Sequence, residues 1–269
     1  MIIKFLKVII LLTYTLVSLE TGSLANVNYR KFDLKAREEK SLTEKNINKL
    51  TEQAETEILR LNYLKAKKIY EKILSNKKKI YEPSAEEIAI TYNDLGIMSY
   101  KLGEIYNSLE YFLKSSEIIK KYKNENTAEV FNNLGTIYTE LGFFKKADSF
   151  LQNGSEINKR IFGADSDNYA ISLNYIGKNY ISQEIFSEGK KYFNEALNIF
   201  NKNNSKDYEN ISIVLQNLGY IYIYDGEYNQ AVNTFLKAIE ILKKNKEYEL
   251  ETINTIKSNL GLTYIYQGK

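Results

Sequence analysis

The chain has 269 residues, of which 43% are hydrophobic and 26% are charged, and its formal net charge is +3. This length and apolar content suit one or two folded domains. So small a net positive charge does not by itself indicate a nucleic-acid-binding protein. The sequence contains no histidine and no cysteine, which excludes imidazole-based catalysis, disulfide bonds and cysteine-based metal sites.

Residues 1–25 have the pattern of a secretory signal peptide. Lys4 and Lys7 give a positive start, Val8–Leu19 is an apolar run, and Ser23–Ala25 offers the small residues that a signal peptidase reads. The apolar run is shorter than the roughly 20 residues that span a membrane comfortably. We therefore expect an exported protein, periplasmic or secreted, with no stable membrane insertion after cleavage. The alternative is a membrane anchor formed by an uncleaved signal segment.

Two further segments precede the main part of the chain. Residues 26–45 are polar and of mixed charge, and they are predicted to form a linker that leads into a helix. Residues 46–83 are predicted to form a degenerate repeat, because Ala66, Tyr70 and Ile73 stand 42 residues before equivalent positions of the next copy. A polar repeat here would cap a repeat array, since one of its sides faces water.

Residues 84–269 contain a motif that recurs five times. Each copy begins with a leucine or isoleucine followed by glycine, and this register glycine recurs at steps of 39, 42, 42 and 42 residues. A fixed period of this size is the sequence signature of a repeat architecture. The register glycines are Gly96, Gly135, Gly177, Gly219 and Gly261.

Within each copy, small and large residues follow at helical spacings. In the second copy Tyr138 comes three residues after the register glycine, and Ala147, Leu151 and Gly154 follow at steps of four and three. Such spacings put side chains on one face of a helix. A second glycine seven residues after the first, Gly142 in this copy, is expected to provide a left-handed helix cap. Each copy is therefore predicted to form helix A, a tight turn and helix B.

Some copies depart from the pattern. Ser99 replaces the tyrosine of the first copy, and Glu184 replaces the turn glycine of the third. The 39-residue step predicts a shorter helix or loop near residues 121–127. Ser84, with Glu87 three residues later, is predicted to form a capping box at the start of a helix.

On these residues the chain resembles the tetratricopeptide repeat (TPR) family over about residues 84–269. The leucine–glycine pair, the tyrosine, the second glycine, and the later alanine, phenylalanine and alanine match the family's offsets. The 42-residue step resembles the longer-helix variant seen in kinesin light chain and in many bacterial TPR proteins. The resemblance implies an all-α protein, an α-solenoid in which antiparallel helix pairs form a right-handed superhelix. Residues 84–269 would then hold four full helix pairs and a fifth helix A.

The resemblance also implies a concave surface, lined by helices A, that holds peptides in this family. On the face predicted to line it, an amide recurs three residues before each of three register glycines and again at Gln216. Amides can pair with both the N–H and the C=O of an extended peptide, and the aromatic residues nearer the C-terminus suit apolar anchors. We therefore expect a protein or peptide partner. The candidate groove residues are Asn93, Tyr100, Asn132, Asn174, Lys178, Gln216, Tyr220, Tyr224 and Tyr266.

No nucleotide-binding or nucleophile motif occurs in the sequence. We predict a non-catalytic interaction scaffold without catalytic residues, cofactor, metal or nucleic-acid partner. The alternative is the N-terminal sensor or interaction arm of a longer protein with a downstream, protease-like effector domain, as in some exported TPR arrays that this chain resembles. A third possibility is end-to-end self-association, because the sequence stops after helix A of the fifth copy.

Overall fold

The computed structural model describes residues 34–244 and 250–268. The predicted signal peptide and the first residues of the predicted linker lie outside the described residues. Every regular element of the described ranges is an α-helix, and none of these helices is both long enough and apolar enough to cross a membrane. The chain divides into two compact units, Met1–Pro83 and Ser84–Lys269.

The described part of the first unit consists of helix α1, residues 34–59, and helix α2, Tyr63–Ile80. Residues 34–45 are helical, although their polar, mixed-charge composition predicts a linker. This difference has a local cause, because the segment is rich in strong helix formers and places Lys35 and Glu39 one turn apart, 4.0 Å between Nζ and Oε1. A polar segment without apolar periodicity can be irregular, but the same composition also suits a solvated helix.

A buried carboxylate ties α1 to α2. Glu57, near the end of α1, accepts hydrogen bonds from Lys65 Nζ (2.8 Å) and Asn62 Nδ2 (3.1 Å). Asn62 also caps α2 by accepting from the backbone N–H of Lys65. The hydrogen bond from Lys65 holds the pKa of the Glu57 carboxyl below its ordinary value, against the opposing effect of burial.

In the described part of the second unit, nine helices form four A–B pairs and a fifth helix A. Each helix packs on its chain neighbours, and each helix A also contacts the next helix A. This arrangement confirms the predicted α-solenoid of antiparallel helix pairs. The helices are α3 (Glu86–Lys101), α4 (Ile105–Ile119), α5 (Glu125–Glu140), α6 (Phe144–Phe162), α7 (Asp167–Ser182), α8 (Phe186–Lys202), α9 (Tyr208–Tyr224), α10 (Tyr228–Leu242) and α11 (Leu250–Tyr266).

The turns between helices A and B have the predicted left-handed residue. Gly103, Gly142 and Gly226 have φ of 74°, 75° and 75°, and Glu184 adopts the same conformation with φ of 62°. In the third copy the N–H of Ile185 still donates to the carbonyl of Tyr180, at 3.0 Å, as the equivalent N–H groups do in the other copies. The turn therefore survives the loss of its glycine, with the glutamate held in a backbone conformation that favours glycine.

The register glycines allow the two helices of a pair to approach closely. A Cβ added to Gly96, Gly135, Gly177 or Gly219 would lie 2.3–2.6 Å from the large side chain of the following helix B. Those side chains are Phe112, Leu151, Phe193 and Phe235, each at most 2% exposed. Gly261 differs, because no atom of the described residues outside its own helix backbone and chain neighbours lies within 4 Å of its added Cβ.

The short step between the first two copies falls in helix B, as the sequence predicts. Helix α4 has 15 residues, against 19 in α6 and 17 in α8, and α5 begins after five further residues. Helix α10 also has 15 residues, but seven residues separate it from α11. The predicted capping box at Ser84 is wrong. Helix α3 is capped by Ala85 without a side-chain hydrogen bond, which moves Glu87 one position too close to the helix start. A capping box occurs instead at Asn124 and Thr127, where α5 begins.

Candidate functional site

The inner faces of α3, α5, α7 and α9 line a cleft of about 670 Å³, which we call the main groove. Its walls come from equivalent positions of successive helices A, chiefly two residues before and one residue after the register glycine. These two positions are three residues apart, so they lie on one stripe of each helix. The residues are Asn133, Tyr175 and Asn217 at the first position and Ile97, Thr136 and Lys178 at the second.

The amides predicted to line the groove lie beside this stripe. Asn93, Asn132 and Asn174 are only 4%, 5% and 6% exposed, because each helix A packs on the next helix A along this side. These three amides are therefore less open to a peptide than the sequence predicts, although Asn174 still lines the main groove. The residues that follow two of them, Asn133 and Tyr175, line the main groove.

The buried amides hold the groove residues of the next helix in place. Asn133 Nδ2 donates to Asn93 Oδ1 at 2.9 Å, and Asn217 Nδ2 donates to Asn174 Oδ1 at 2.9 Å. Asn93 Nδ2 in turn donates to Glu129 Oε1 at 2.8 Å. These hydrogen bonds form an amide ladder between successive helices A, and the ladder fixes Asn133 and Asn217 at the groove wall.

The ladder is broken between α5 and α7. Tyr175 stands in α7 at the position that Asn133 and Asn217 occupy in α5 and α9. As a result Asn132 Oδ1 is buried without a hydrogen-bond partner. Asn132 and Tyr175 both line a smaller opening of about 340 Å³, which we call the side cleft.

A second polar chain crosses the main groove at its other edge. The hydroxyl of Tyr100 on α3 donates to Glu140 Oε1 on α5, and Lys178 Nζ on α7 lies 3.8 Å from the same oxygen. Burial, followed by the hydrogen bond to the Glu140 carboxylate, raises the pKa of Tyr100 well above its ordinary value. The phenol is therefore neutral and fixed as a donor to Glu140.

The nine predicted residues separate into groups. Tyr100, Asn174, Lys178 and Gln216 meet in the main groove. Tyr220 joins Lys178 and Gln216 in an adjoining cleft of about 280 Å³. The remaining two tyrosines lie elsewhere: Tyr224 is 62% exposed with its ring stacked on Phe186, and Tyr266 stacks on Tyr228 with 5.9 Å between ring centroids.

Sequence reasoning missed Glu129, Asn133, Tyr175 and Asn217. A signal for three of them was available, because the position two residues before the register glycine is polar or tyrosine in every copy: Asp94, Asn133, Tyr175, Asn217 and Asn259. Within residues 34–244 and 250–268, no group of three or more acidic side chains has an arrangement that could hold a metal ion.

Comparison with known proteins agrees with this architecture. The sequence profile of the tetratricopeptide repeat family matches residues 87–152, 126–188 and 186–244, which together make up more than half of the chain. The chain belongs to the tetratricopeptide repeat family. A search of curated protein sequences gave no match.

Three solved structures show what this TPR protein is similar to in fold. BtubC (BKLC) from P. vanneervenii has a TM-score of 0.62 and 20% identity, covering 76% of this chain and 82% of that one. Kinesin light chain TPR-like repeats from Podosopora anserina have a TM-score of 0.58 and 13% identity, covering 75% and 97%. NprR, in complex with its cognate peptide NprX, has a TM-score of 0.62 and 19% identity, covering 82% and 61%. The predicted kinesin-light-chain-like form of the repeat is confirmed.

Proposed function

We propose that this TPR protein is a non-catalytic scaffold that binds an extended peptide segment of a protein partner in the main groove. The observation that carries the proposal is an open groove, built by four successive helices A, whose walls repeat hydrogen-bonding side chains at one helical position. An extended peptide presents an N–H and a C=O at regular spacing, and side-chain amides can pair with either group.

The rigidity of the groove supports the proposal. The amide ladder holds Asn133 and Asn217, and the Tyr100–Glu140 hydrogen bond joins α3 to α5. A ligand that meets fixed side chains loses less free energy to the ordering of the site. NprR, which shares the fold, was solved with a bound peptide, and a concave surface of this kind is the usual recognition surface of a solenoid.

Selection from a displayed library of random 12-residue peptides tests the proposal. Selected peptides are labelled with a fluorophore, and their dissociation constants are measured by anisotropy. The groove variant Asn133→Ala/Asn217→Ala should bind about tenfold more weakly, since two hydrogen bonds of about 0.5–1.5 kcal/mol each are lost. The control Asn107→Ala/Asn153→Ala removes two exposed amides from helices α4 and α6 and should bind like the wild type.

Two results would count against peptide capture in the main groove. One is a failure of the wild-type protein to enrich any peptide over successive rounds. The other is equal affinity of the groove variant and the wild type, with thermal melting showing that both are folded. Loss of binding in the control variant alone would move the site to helices B.

We propose further that the scaffold acts outside the cytoplasm, on the strength of the signal-peptide pattern in residues 1–25. The alternative is an interaction arm joined to a downstream effector domain. The intact mass of the native protein distinguishes these proposals. A mass that is below 31.3 kDa by the weight of residues 1–25 supports export with cleavage. A much larger mass supports the effector arm. A mass equal to that of the full chain counts against cleavage.

A further inference from the structure

We propose that the side cleft is a specificity pocket for a positively charged group of the bound peptide. The group is a lysine or arginine side chain, or the peptide's N-terminal amine. This inference rests on the proposed peptide binding and adds the chemistry of one ligand position to it.

The side cleft adjoins the main groove. Glu129, Asn133 and Tyr175 line both openings, so they form the wall that the two share. The side cleft, at about 340 Å³, is half the volume of the main groove. A peptide that follows the main groove can therefore place one side chain or its terminus into the side cleft, between α5 and α7.

The chemistry of the side cleft favours a cation. Glu125 and Glu129 contribute two carboxylates, and none of its lining residues is a lysine or arginine. Burial, together with the negative charges of Glu129 and Glu209, raises the pKa of Tyr175, which lies in the same negative field. An anionic side chain would meet like charges here, whereas an ammonium or guanidinium group would be attracted.

An unpaired buried acceptor provides a second, independent observation. Asn132 lines the side cleft and is only 5% exposed, and its Oδ1, which lies beside Gly154 of α6, has no hydrogen-bond partner. In the neighbouring junctions the equivalent Asn93 and Asn174 accept from an asparagine of the next helix A. A buried acceptor without a donor destabilises a protein by about 1–3 kcal/mol. Ammonium and guanidinium groups carry only donors, and they match this surplus of acceptors.

The apolar walls fit the stem of a long basic side chain. Ile171 and Tyr175 line the side cleft beside the carboxylates and amides. Lysine and arginine bury their methylene stems against such surfaces while their charged ends meet polar groups, and a tyrosine ring also attracts a cation. The side cleft thus offers apolar contacts for the stem and acceptors for the charged end.

The peptide selection is repeated with three proteins: the wild type, Glu129→Gln and the control Glu195→Gln. Glu129→Gln removes the charge but keeps an oxygen that can accept from Asn93. Glu195 is an exposed carboxylate on helix α8. We expect the wild type and the control to enrich lysine or arginine at one fixed position at least threefold over the library. Glu129→Gln should still select peptides but lose that enrichment, and Glu125→Gln provides a second test if Glu129→Gln is unfolded.

Chemical variants of one selected peptide identify the source of the charge. Replacing its arginine by citrulline, or its lysine by norleucine, should weaken binding to the wild type about tenfold and leave binding to Glu129→Gln nearly unchanged. If acetylation of the N-terminus has this effect instead, the amine occupies the side cleft. Both results support the cation pocket.

The outcomes separate the two proposals. Selection of peptides without a basic preference at any position would overturn the cation pocket and leave peptide binding intact. A basic preference that persists in both glutamine variants would also overturn it. A wild-type protein that selects no peptide would overturn the proposed function, and the cation pocket with it.

Discussion

The glycine and the large residue that meet in each helix pair form one unit of packing in this protein. Gly177 and Phe193 illustrate it. A Cβ added to Gly177 would lie only 2.6 Å from the Phe193 ring, so the ring occupies the space that a side chain would need. The fully buried ring fills the space because the glycine leaves it open. The same contact, with phenylalanine or leucine, recurs in the other three pairs.

Alanine substitutions at two register glycines should therefore have opposite effects. Gly177→Ala overpacks a close contact, which costs about 1–3 kcal/mol and exceeds the gain in helix propensity of up to about 1 kcal/mol. Gly261→Ala meets no atom within 4 Å, so only the gain applies. Chemical denaturation of both variants measures the two changes. Equal destabilisation by both would show that the ring contact does not explain the glycine.

Glu184 carries backbone strain that the other turns avoid with glycine. Its φ of 62° costs a residue with a Cβ about 1–2 kcal/mol. Because this exceeds the entropic cost of glycine, about 0.5–1 kcal/mol, Glu184→Gly should raise the melting temperature. Glu188→Gly is the matched control in the first turn of α8, where glycine should destabilise instead. A lower melting temperature for Glu184→Gly would show that its side chain is worth more than the strain.

At the scale of the helices, successive helices A are joined by the amide ladder. Asn93 and Asn174 each accept from the next helix, but Asn132 does not, because Tyr175 replaces the donor. The side cleft lies at the same junction, and both Asn132 and Tyr175 line it. The ladder therefore contributes both to cohesion and to the shape of the candidate site.

A double-mutant cycle measures the ladder directly. Asn174→Ala and Asn217→Ala should be coupled by about 0.5–1.5 kcal/mol, because both remove the same hydrogen bond. The cycle of Asn132→Ala with Tyr175→Phe is the matched comparison, and it should give coupling near zero since no hydrogen bond joins the pair. Similar coupling in both cycles would mean that general packing, not the amide pairing, connects the helices.

At the scale of the whole repeat unit, partly buried phenols limit stability in alkali. Burial is the first cause that raises the pKa of Tyr100, Tyr175 and Tyr180, which all lie in the second unit. In the unfolded chain these groups ionise near their ordinary value of 10.0. The folded state binds more protons above that pH, so its stability is full below about pH 10 and falls as the pH rises further.

Melting temperatures between pH 8 and 11 test this expectation. The wild type should lose stability steeply above pH 10, and Tyr100→Phe should flatten part of the decline because it removes one such proton. Tyr106→Phe is the control, as that side chain is 78% exposed. A decline of the same steepness in Tyr100→Phe as in the wild type would contradict the role assigned to the Tyr100 phenol.

Much of this fold follows from the sequence alone, because its determinants are local. The register glycines, the residues at spacings of three and four, and the turn glycines specify helix A, turn and helix B within about 40 residues. Glu184, which replaces the turn glycine, also adopts the predicted turn conformation, because the flanking hydrogen bonds impose that conformation. The helix over residues 34–45 does not follow from the sequence in this way, because this segment has no apolar period.

The open face of the groove was decided only by the tertiary structure. Asn132 and Asn133 are consecutive residues of the same type. Because neighbouring side chains of a helix point about 100° apart, their environments differ greatly. The placement of the next helix A buries the first and leaves the second half-exposed. Likewise, the effect of Tyr175 on Asn132 arises only when α5 and α7 lie side by side. Local patterns determine the repeat, and contacts between repeats determine which side chains remain available to a ligand.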